Sequence, residues 1–433
     1  MNFFSAKVLL LILFSYNYAF ANVQLIKKEN SDDNTTLLVI AGIHGDEPGG
    51  YFAASILATH YNITSKNLWI VPNLNQKSIL KNSRGIHGDM NRKFATLKKS
   101  DKDAETIKEI KNIILTKKVS LVLNLHDGHG FYRKENHGKI FNPNAWGQTC
   151  VIDQCNLLNQ DQPFGNLNSI ALDVKERMNK KLLKKHHSFN VKNTKTKFDD
   201  EAMQLSLTYF AVTNNKPAFA IESSKNLSSL SQKVFYQLLA IEEFMNIMDI
   251  SFTREFKLTE KNIDNIIKNY GNISINGNFS LNLTNIKKSL SFIPLRLKSN
   301  VFEFSNPLGS VVQKRGMFIA YVGNKKILTL KPQYFEMVEK CAEEFEVIID
   351  GNKVSLNNTS DIIVNDDFNI IKKNDYRVNV IGYSSRNHQN ESGLSIKLKD
   401  LNKRFSVDKS NRVYRVEFYK NNEFCFMSKV HFK

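Results

Sequence analysis

The sequence predicts an α/β fold in which a mixed sheet is flanked by helices, followed by two small all-β regions. Over about residues 34–250, short aliphatic runs alternate with segments of helical periodicity. This alternation is typical of strands whose sheet is covered by helices. Beyond about residue 252, short alternating strands are broken by Asn-Gly and Gly-Asn turns, which indicates β structure.

Each predicted strand of the α/β part is a short aliphatic run, and each predicted helix repeats its apolar residues at helical spacing. The strands are predicted at residues 35–42, 68–73, 119–126 and 218–223. The helices are predicted at residues 49–60, 104–117, 166–185 and 228–248. Pro48 precedes the first helix, and proline is favoured at a helix start because no intrahelical partner is needed there for its missing N–H.

The chain has 433 residues, which is too long for one ordinary core. We expect residues 22–250 to form the α/β domain, residues 251–337 a small β domain, and residues 338–433 an immunoglobulin-like β-sandwich. The last interpretation follows from the size of the region, because such sandwiches usually have about 100 residues.

The first residues have the pattern of an export signal. A lysine precedes the apolar run at residues 8–14, and Ala19-Phe20-Ala21 fits the small residues of a signal peptidase site. We therefore predict that residues 1–21 are a cleaved signal peptide. A membrane anchor is the alternative, but the run is short for a bilayer span, and no later segment is apolar enough to cross a membrane.

The chain carries a formal net charge of +18. Basic proteins often bind nucleic acid, anionic membranes or acidic polymers. Export argues against nucleic acid and favours a polyanion of the cell wall or envelope. The lysines are scattered along the sequence, however, so a solvated lysine-rich surface is at least as good an interpretation.

The four cysteines allow three pairings, and export would expose them to an oxidising compartment. Cys150 and Cys155 are close in sequence, whereas Cys341 and Cys425 both lie in the C-terminal region. We therefore predict a Cys150–Cys155 and a Cys341–Cys425 disulfide. None of the spacings is that of a zinc site or a redox dithiol.

The stretch LLVIAGIHGDEPGG, residues 37–50, joins a buried-strand pattern to a glycine-rich loop that carries His44 and Glu47. Imidazole and carboxylate are ligands suited to Zn²⁺. The carboxyl edge of the sheet is also where open α/β proteins build their sites. His388 and Glu391 repeat the HxxE spacing, but they lie in a polar loop of the C-terminal β region, where solvent exposure explains them.

Two other aliphatic strands end in side chains that a zinc hydrolase needs. His126 ends the strand in SLVLNLHDGHG and is a candidate third ligand, with His129 as its competitor. Glu222 follows an apolar run in KPAFAIESS, and burial would raise its pKa toward the range useful for proton transfer. The alternative is that Glu222 pairs with a lysine.

The loop NSRGIHGDMNRKF supplies Arg84, Asn91 and Arg92 between the predicted zinc-ligand segments. Arginine binds carboxylates through two parallel hydrogen bonds, and a donor aimed at a developing oxyanion stabilises a transition state. Surface arginines are usually only solvated. The position of this loop between the ligand segments nevertheless favours a role at the site.

The HxxE pair, the arginine, the Asn-Arg pair, the strand-end histidine and the strand-borne glutamate follow one another along the chain. This ordered set resembles the carboxypeptidase A superfamily of zinc metallocarboxypeptidases over about residues 34–250. The resemblance implies a zinc-carboxypeptidase-like fold with one Zn²⁺ per chain. It implies that His44, Glu47 and His126 bind the metal. It also implies that Glu222 is the general base, which takes a proton from the attacking water and returns it to the leaving amine.

The same resemblance implies roles for residues that contact the substrate. Arg84 matches the arginine that polarises the scissile carbonyl, and Asn91 with Arg92 matches the pair that clamps the terminal carboxylate. Trp146 and Thr208 would line the substrate groove. Trp146 is equally well explained as a loop aromatic that covers the core.

The whole layout is similar to periplasmic murein DL-carboxypeptidases of helical and curved bacteria. This implies a periplasmic enzyme that trims peptidoglycan tripeptides to dipeptides by releasing meso-diaminopimelate, and so modifies the cell wall and cell shape. Muropeptides would be its substrates, and the β domains would meet a wall or protein partner. The alternatives are an aspartoacylase-like or succinylglutamate-desuccinylase-like amidohydrolase, and a wall-binding scaffold with a vestigial zinc site.

Overall fold

The computed structural model describes residues 23–30, 35–159, 161–338, 340–384 and 389–433. The predicted signal peptide, residues 1–21, lies outside the described residues, as does His388. Among the helices of the described residues, none is both long enough and apolar enough to pass through a membrane.

The first part of the chain contains the strands and helices of the predicted α/β region and, beyond its predicted end at residue 250, one further strand and one further helix. Its strands are β1 (Ile26–Glu29), β2 (Thr36–Ile40), β3 (Tyr61–Ile63), β4 (Asn67–Val71), β5 (Val119–Gly128), β6 (Phe131–Tyr132), β7 (Phe141–Asn142), β8 (Thr149–Ile152), β9 (Asn190–Asn193), β10 (Ala218–Ser224) and β11 (Phe252–Arg254). Its helices are α1 (Pro48–His60), α2 (Gln76–Lys81), α3 (Ala104–Leu115), α4 (Leu167–Asn179), α5 (Thr196–Asp199), α6 (Leu207–Thr213), α7 (Leu230–Ile247) and α8 (Glu260–Lys268).

In the described part of the chain, seven of these strands form one sheet in the order β1-β4-β2-β5-β10-β8-β9. Strands β4, β2, β5 and β10 run parallel to one another, whereas β1 and β8 are antiparallel to their neighbours β4 and β10. Helices α1, α3, α6 and α7 pack against these strands. The predicted mixed sheet with flanking helices is therefore confirmed.

The predicted strands and helices of this part are found with shifted ends. The largest shift is in the helix predicted at residues 166–185, because α4 ends at Asn179. The side-chain amide of Asn179 donates to the backbone oxygen of Phe189 (2.9 Å) and accepts from its backbone nitrogen (2.8 Å). These bonds hold the chain where it turns back toward β9.

The second part of the chain is mainly β structure. Its strands are β12 (Asn272–Ile275), β13 (Phe279–Asn282), β14 (Ser289–Leu295), β15 (Phe302–Phe304), β16 (Gly309–Lys314), β17 (Met317–Val322), β18 (Lys325–Tyr334), β19 (Glu344–Ile349), β20 (Asn352–Asn357), β21 (Asp361–Val364), β22 (Asp367–Ile370), β23 (Tyr376–Val380), β24 (Ile396–Lys397), β25 (Val413–Lys420) and β26 (Glu423–Phe432). The region predicted to be only β also contains α8, which buries Ile263 and Ile267 beside α7.

The last strands form two four-stranded sheets, β20-β19-β22-β24 and β21-β26-β25-β23. Phe345 and Val347 from the first sheet share one core with Val416 and Phe418 from the second. The all-β character predicted for this end of the chain is thus confirmed. Its immunoglobulin-like topology, and the domain boundaries at residues 250 and 337, stay predictions.

The C-terminal sheets are joined to the rest of the protein through buried contacts. Phe424 and Met427 belong to the same hydrophobic core as the seven-stranded sheet. Arg415 is buried, and its guanidinium donates to the carbonyl oxygens of Ser291 and Phe292 on β14, both at 2.9 Å. Two backbone acceptors of the middle region are therefore capped by a side chain from β25.

The cysteine predictions divide into one that is confirmed and one that is wrong. Cys341 and Cys425 form a disulfide. Cys150 and Cys155 are both free. Cys150 is buried in β8, whereas Cys155 lies exposed beyond the strand end, where its Sγ accepts a hydrogen bond from Asn193 (3.3 Å). Closeness in sequence did not bring the two sulfurs together, because one thiol lies in the sheet core and the other at the surface.

Candidate metal centre and active site

Three predicted ligands form a compact buried cluster at the carboxyl edge of the sheet. His44, Glu47 and His126 each offer a ligand atom, and these atoms lie within 4.8 Å of one another. The two oxygens of Glu47 face the two rings, with Oε1 3.1 Å from His44 Nδ1 and Oε2 2.8 Å from His126 Nδ1. His129 lines the same cavity but is exposed, so the geometry favours His126.

The loop after β2 needs its glycines to place His44. Gly42 has φ +73, a conformation that side-chain-bearing residues rarely adopt. A Cβ on Gly45 would lie 2.1 Å from the backbone of Ser78, so only glycine fits there. The loop then enters α1 through Pro48, and Glu47 lies at its start.

The chemistry of this donor set fits zinc. Two imidazole nitrogens and one carboxylate are a known catalytic zinc set. Burial alone would raise the pKa of Glu47, but His44 and His126 lower it well below its ordinary value, so the carboxylate is charged. Burial lowers the pKa of His126, and a neutral ring is the form that binds a metal.

Asp89 is a site residue that the sequence analysis missed. Its Oδ1 lies 2.8 Å from His44 Nε2, on the side of the ring away from Glu47, and its Oδ2 accepts from Arg84 Nε at 2.9 Å. A histidine that binds a metal usually donates its other ring N–H to a carboxylate, a backbone carbonyl or water, and a carboxylate fills that place here. Its place two residues before Asn91, in the loop already singled out, was the available signal.

Glu222 lies on β10 directly opposite His126 on β5. Burial raises the pKa of Glu222 well above its ordinary value, and the negative charges of Glu47 and Asp127 raise it further. Among the described residues, no hydrogen bond or ion pair engages its carboxylate, so the lysine partner considered from the sequence is not found. A half-buried carboxyl group of this kind can accept and return a proton.

The cationic loop predicted from the sequence borders the cluster. Arg84 NH1 donates to Glu47 Oε1 at 3.4 Å. Asn91 is buried, and its side-chain oxygen accepts from the backbone nitrogen of Leu207 at 2.9 Å. Arg92 donates to the backbone oxygen of Asn91 at 3.0 Å. The loop is thereby tied to the start of α6 and to its own backbone.

All nine predicted site residues line one cavity of about 290 Å³. Besides the groups above, it is bordered by Trp146 and Thr208. Lys192 Nζ lies 4.1 Å from the centre of the Trp146 ring, so this aromatic is engaged by a cation. The cavity is also bordered by Asn124 and Lys225, which the sequence analysis did not name.

Comparison with known proteins agrees with this geometry. A family described as "Carboxypeptidase controlling helical cell shape catalytic" matches residues 5–268, and one described as "C-terminal domain of metallo-carboxypeptidase" matches residues 338–433. No match was found among curated proteins.

Solved structures of the cell shape determinant protein Csd4 from Helicobacter pylori are similar to this chain over nearly its whole length. The apo structure is 36% identical, covers 95% of this chain and 100% of its own, and has a TM-score of 0.88. The mDAP-bound form, described as a D,L-carboxypeptidase, is 37% identical, covers 94% of this chain and 100% of its own, and has the same TM-score of 0.88. A tripeptide-bound structure of the same protein matches equally well, at 36% identity and TM-score 0.88.

The match of the catalytic family extends over more than half of the chain and includes every predicted metal ligand. The members of this family are zinc metallopeptidases, which agrees with the donor set of the buried cluster. The prediction of a zinc metallocarboxypeptidase is therefore confirmed. The chain belongs to the family of carboxypeptidases that control helical cell shape.

Proposed function

We propose that this protein is a zinc-dependent D,L-carboxypeptidase that trims peptidoglycan tripeptide stems to dipeptides by releasing meso-diaminopimelate. One observation carries the proposal: the buried cluster of His44, Glu47 and His126 shares a cavity with the carboxyl group of Glu222, which no described residue engages in a hydrogen bond or ion pair. The similarity to a D,L-carboxypeptidase structure with mDAP bound supports the choice of substrate.

In the proposed mechanism, His44, Glu47 and His126 would hold the metal. Zinc at such a site would polarise a carbonyl as a Lewis acid, and it would lower the pKa of water so that the water can lose a proton and act as a nucleophile near neutral pH. Glu222 accepts the proton of the attacking water and passes it to the leaving amine. The raised pKa of Glu222 suits both steps, because the group must take and release a proton near neutral pH.

The basic groups of the cavity would orient the substrate. Arg84 faces the metal ligand Glu47 and would stabilise the negative charge that develops on the carbonyl oxygen. Arg92 and Asn91 would hold the free carboxylate that marks the end of a chain. An internal peptide bond lacks that anion, so exopeptidase action follows. Trp146 and Thr208 would contact the released residue.

We further propose that the enzyme acts in the periplasm after removal of residues 1–21, and that its action on the wall alters cell shape. The Cys341–Cys425 disulfide supports an oxidising compartment. The β regions would meet a wall or protein partner. Muropeptides carry carboxylates, which is compatible with the basic character of the chain, and nucleic acid has no part in this proposal.

The two alternatives have less support. An aspartoacylase-like or succinylglutamate-desuccinylase-like activity does not account for the C-terminal β regions, which the Csd4 structures share with this chain. A scaffold with a vestigial zinc site has no use for a carboxyl group with a raised pKa beside the ligands.

The proposal is tested by incubating zinc-loaded protein with the muramyl tripeptide and following the products by mass spectrometry. We expect release of diaminopimelate and formation of the dipeptide, and we expect a chelator to stop both. Zinc-loaded protein that leaves the tripeptide unchanged would favour the scaffold. Cleavage of acylated small amino acids with no cleavage of the tripeptide would favour the amidohydrolase.

A further inference from the structure

Helix α1 begins without the side-chain cap that helices usually have. Its N-cap residue is Glu47, whose side chain makes no hydrogen bond to the backbone of α1, all of which the structure describes. Both carboxylate oxygens of Glu47 face imidazole nitrogens of His44 and His126 instead. The first N–H groups of a helix have no partner within it, and a cap residue normally accepts from one of them. A metal ligand at the N-cap therefore leaves the cap to another residue.

Asp127, the last residue but one of β5, takes the place of this cap. Its Oδ2 accepts a hydrogen bond of 2.9 Å from the backbone nitrogen of Gly49, the second residue of α1. The backbone nitrogen of Asp127 also donates to Glu47 Oε2 at 3.2 Å. Asp127 is buried. It therefore holds Glu47 in two ways, directly through its backbone and indirectly through the start of the helix that Glu47 begins.

The carboxyl group of Asp127 is itself oriented by two other elements. Asp127 lies opposite Ser223 on β10, one residue beyond the opposed pair of His126 and Glu222. Successive side chains of a strand point to opposite faces, so Asp127 and Ser223 lie on the other face of the sheet. The Ser223 hydroxyl donates to Asp127 Oδ1, and Lys233 Nζ on α7 lies 3.8 Å from Oδ2. Both carboxylate oxygens therefore have fixed surroundings.

Gly49 shows how closely these groups pack. A Cβ on Gly49 would meet Asp127 Oδ1, and it would lie 2.9 Å from both Ser223 Oγ and Lys233 Cβ. The start of α1 is therefore pressed against two strands and a second helix, with no room for a side chain. A displacement of the Asp127 carboxyl group would be transmitted to the helix start, and so to Glu47.

We propose that Asp127 is a positioning residue, which raises the metal affinity of the site by holding Glu47 in place through the start of α1. A ligand that is already ordered loses less conformational freedom when it binds. Partners behind the metal ligands commonly contribute 10- to 100-fold in metal affinity. The inference rests on the proposed function in one respect, the use of Glu47 as a metal ligand, and it does not depend on which substrate is cleaved.

Two substitutions of Asp127 test the proposal through the zinc affinity of metal-free protein, measured by competition with a chromogenic chelator. Asp127→Leu is similar in size but has no acceptor, and we expect it to lower zinc affinity by about 10- to 100-fold. Asp127→Asn keeps an oxygen for the Gly49 N–H, and its amide nitrogen can donate to the Ser223 oxygen. We expect it to stay within about threefold of wild type, because the hydrogen bond is kept in a weaker, neutral form.

Ser223→Ala removes the hydroxyl that orients Asp127 and leaves the carboxyl group in place. We expect it to lower zinc affinity by about fivefold, which is the effect of one hydrogen bond. This milder change provides a test even if Asp127→Leu does not fold. Ser55→Ala is the matched control, because it removes a hydrogen bond of 3.1 Å from α1 to Asn306 about two helical turns from Glu47. It should leave zinc affinity unchanged.

Hydrogen exchange of metal-free protein gives a readout that needs neither zinc nor substrate. In peptides that contain residues 49–51, Asp127→Leu should exchange about tenfold faster than wild type, because the helix start has lost its cap. Asp127→Asn and Ser55→Ala should exchange there at the wild-type rate. Protection that is unchanged in Asp127→Leu would show that Asp127 does not hold the start of α1.

The results separate this inference from the proposed function. Wild-type zinc affinity in Glu47→Ala would remove Glu47 from the ligands and overturn both. Zinc-binding wild-type protein that leaves the tripeptide uncleaved would overturn the proposed function alone. Unchanged zinc affinity in folded Asp127→Leu and in Ser223→Ala would overturn this inference alone. Equal losses in Asp127→Leu and Asp127→Asn would also overturn it, because they would assign the effect to charge rather than to position.

Discussion

Glu222 and His126 occupy directly opposed positions of the parallel strands β10 and β5. Opposed residues of neighbouring strands point to the same face of a sheet and lie close together. The carboxyl group and the predicted metal ligand are thus held side by side by backbone hydrogen bonds rather than by a flexible loop. Their relative position is therefore a property of the sheet itself.

Replacing Glu222 by glutamine tests whether its carboxyl group transfers the proton. We expect kcat for diaminopimelate release to fall by about 100-fold or more, because the amide cannot accept a proton. Zinc content and thermal stability should stay at wild-type values. Glu135→Gln, at an exposed position, should have no effect. Near-normal turnover of Glu222→Gln would show that another group is the base.

The metal content of two histidine variants distinguishes the competing third ligands. We expect His126→Ala to lose bound zinc, because its Nδ1 lies 2.8 Å from Glu47 in the buried cluster. His129→Ala should retain about one zinc per chain, as a site closed by three other ligands would. Elemental analysis after dialysis measures both. The opposite pattern, with zinc lost only from His129→Ala, would contradict the assignment.

Asp89→Asn tests the support of His44 from its far side. A neutral amide forms a weaker hydrogen bond with His44 Nε2 than a carboxylate does, so the ring is oriented less firmly and its Nδ1 is less basic. Zinc affinity should therefore fall by about 10- to 100-fold. Competition with a chromogenic chelator measures this affinity. Asp173→Asn, on the exposed surface of α4, is the control for the loss of one negative charge. An unchanged affinity in Asp89→Asn would mean that the contact is only structural.

Because the carboxyl group of Asp153 is buried, we predict that the stability of the protein depends on pH. Burial raises its pKa from 3.8 to about 6, against the hydrogen bonds from Thr196 and Thr208 that lower it. The folded protein therefore binds this proton more tightly than the unfolded chain. This proton therefore contributes to the free energy of unfolding, on the order of 3 kcal/mol. The contribution is fully present below about pH 4 and is lost as the pH rises through about 6.

Urea denaturation of wild-type protein and Asp153→Asn at a series of pH values measures this effect. The variant does not titrate at this position, so its free energy of unfolding should gain on that of the wild type between about pH 4 and pH 7. Asp199→Asn, at an exposed position of α5, should run parallel to wild type. Parallel curves for Asp153→Asn as well would contradict the raised pKa.

Much of the site could be predicted because it is built from strand ends. The aliphatic runs of β2, β5 and β10 mark buried parallel strands, and such strands end at one edge of a sheet. Glu47, His126 and Glu222 follow or end these runs, so their meeting could be inferred without coordinates. The cationic loop was found from its order along the chain and from the family resemblance.

The residues that were missed depend on how the sheet and loops pack. Asp89 was visible only as one acid in a polar loop, and its contact with His44 depends on the path of that loop. The side-chain amide of Asn124 has no hydrogen-bond partner among the residues that the structure describes, and a sequence does not record such an absence. The Cys150–Cys155 pairing was wrong because sequence distance does not tell which side chain of β8 points into the core.

The last strands contribute side chains to the interior of the preceding regions. Phe424 and Met427 pack in the core of the catalytic region, and Arg415 donates hydrogen bonds to the middle region. Such a chain is poorly suited to modular exchange in evolution. A gene fusion that moved the final segment onto another hydrolase would expose to solvent the apolar side chains on both sides of this shared core. Inheritance of the protein as one piece follows from that shared interior.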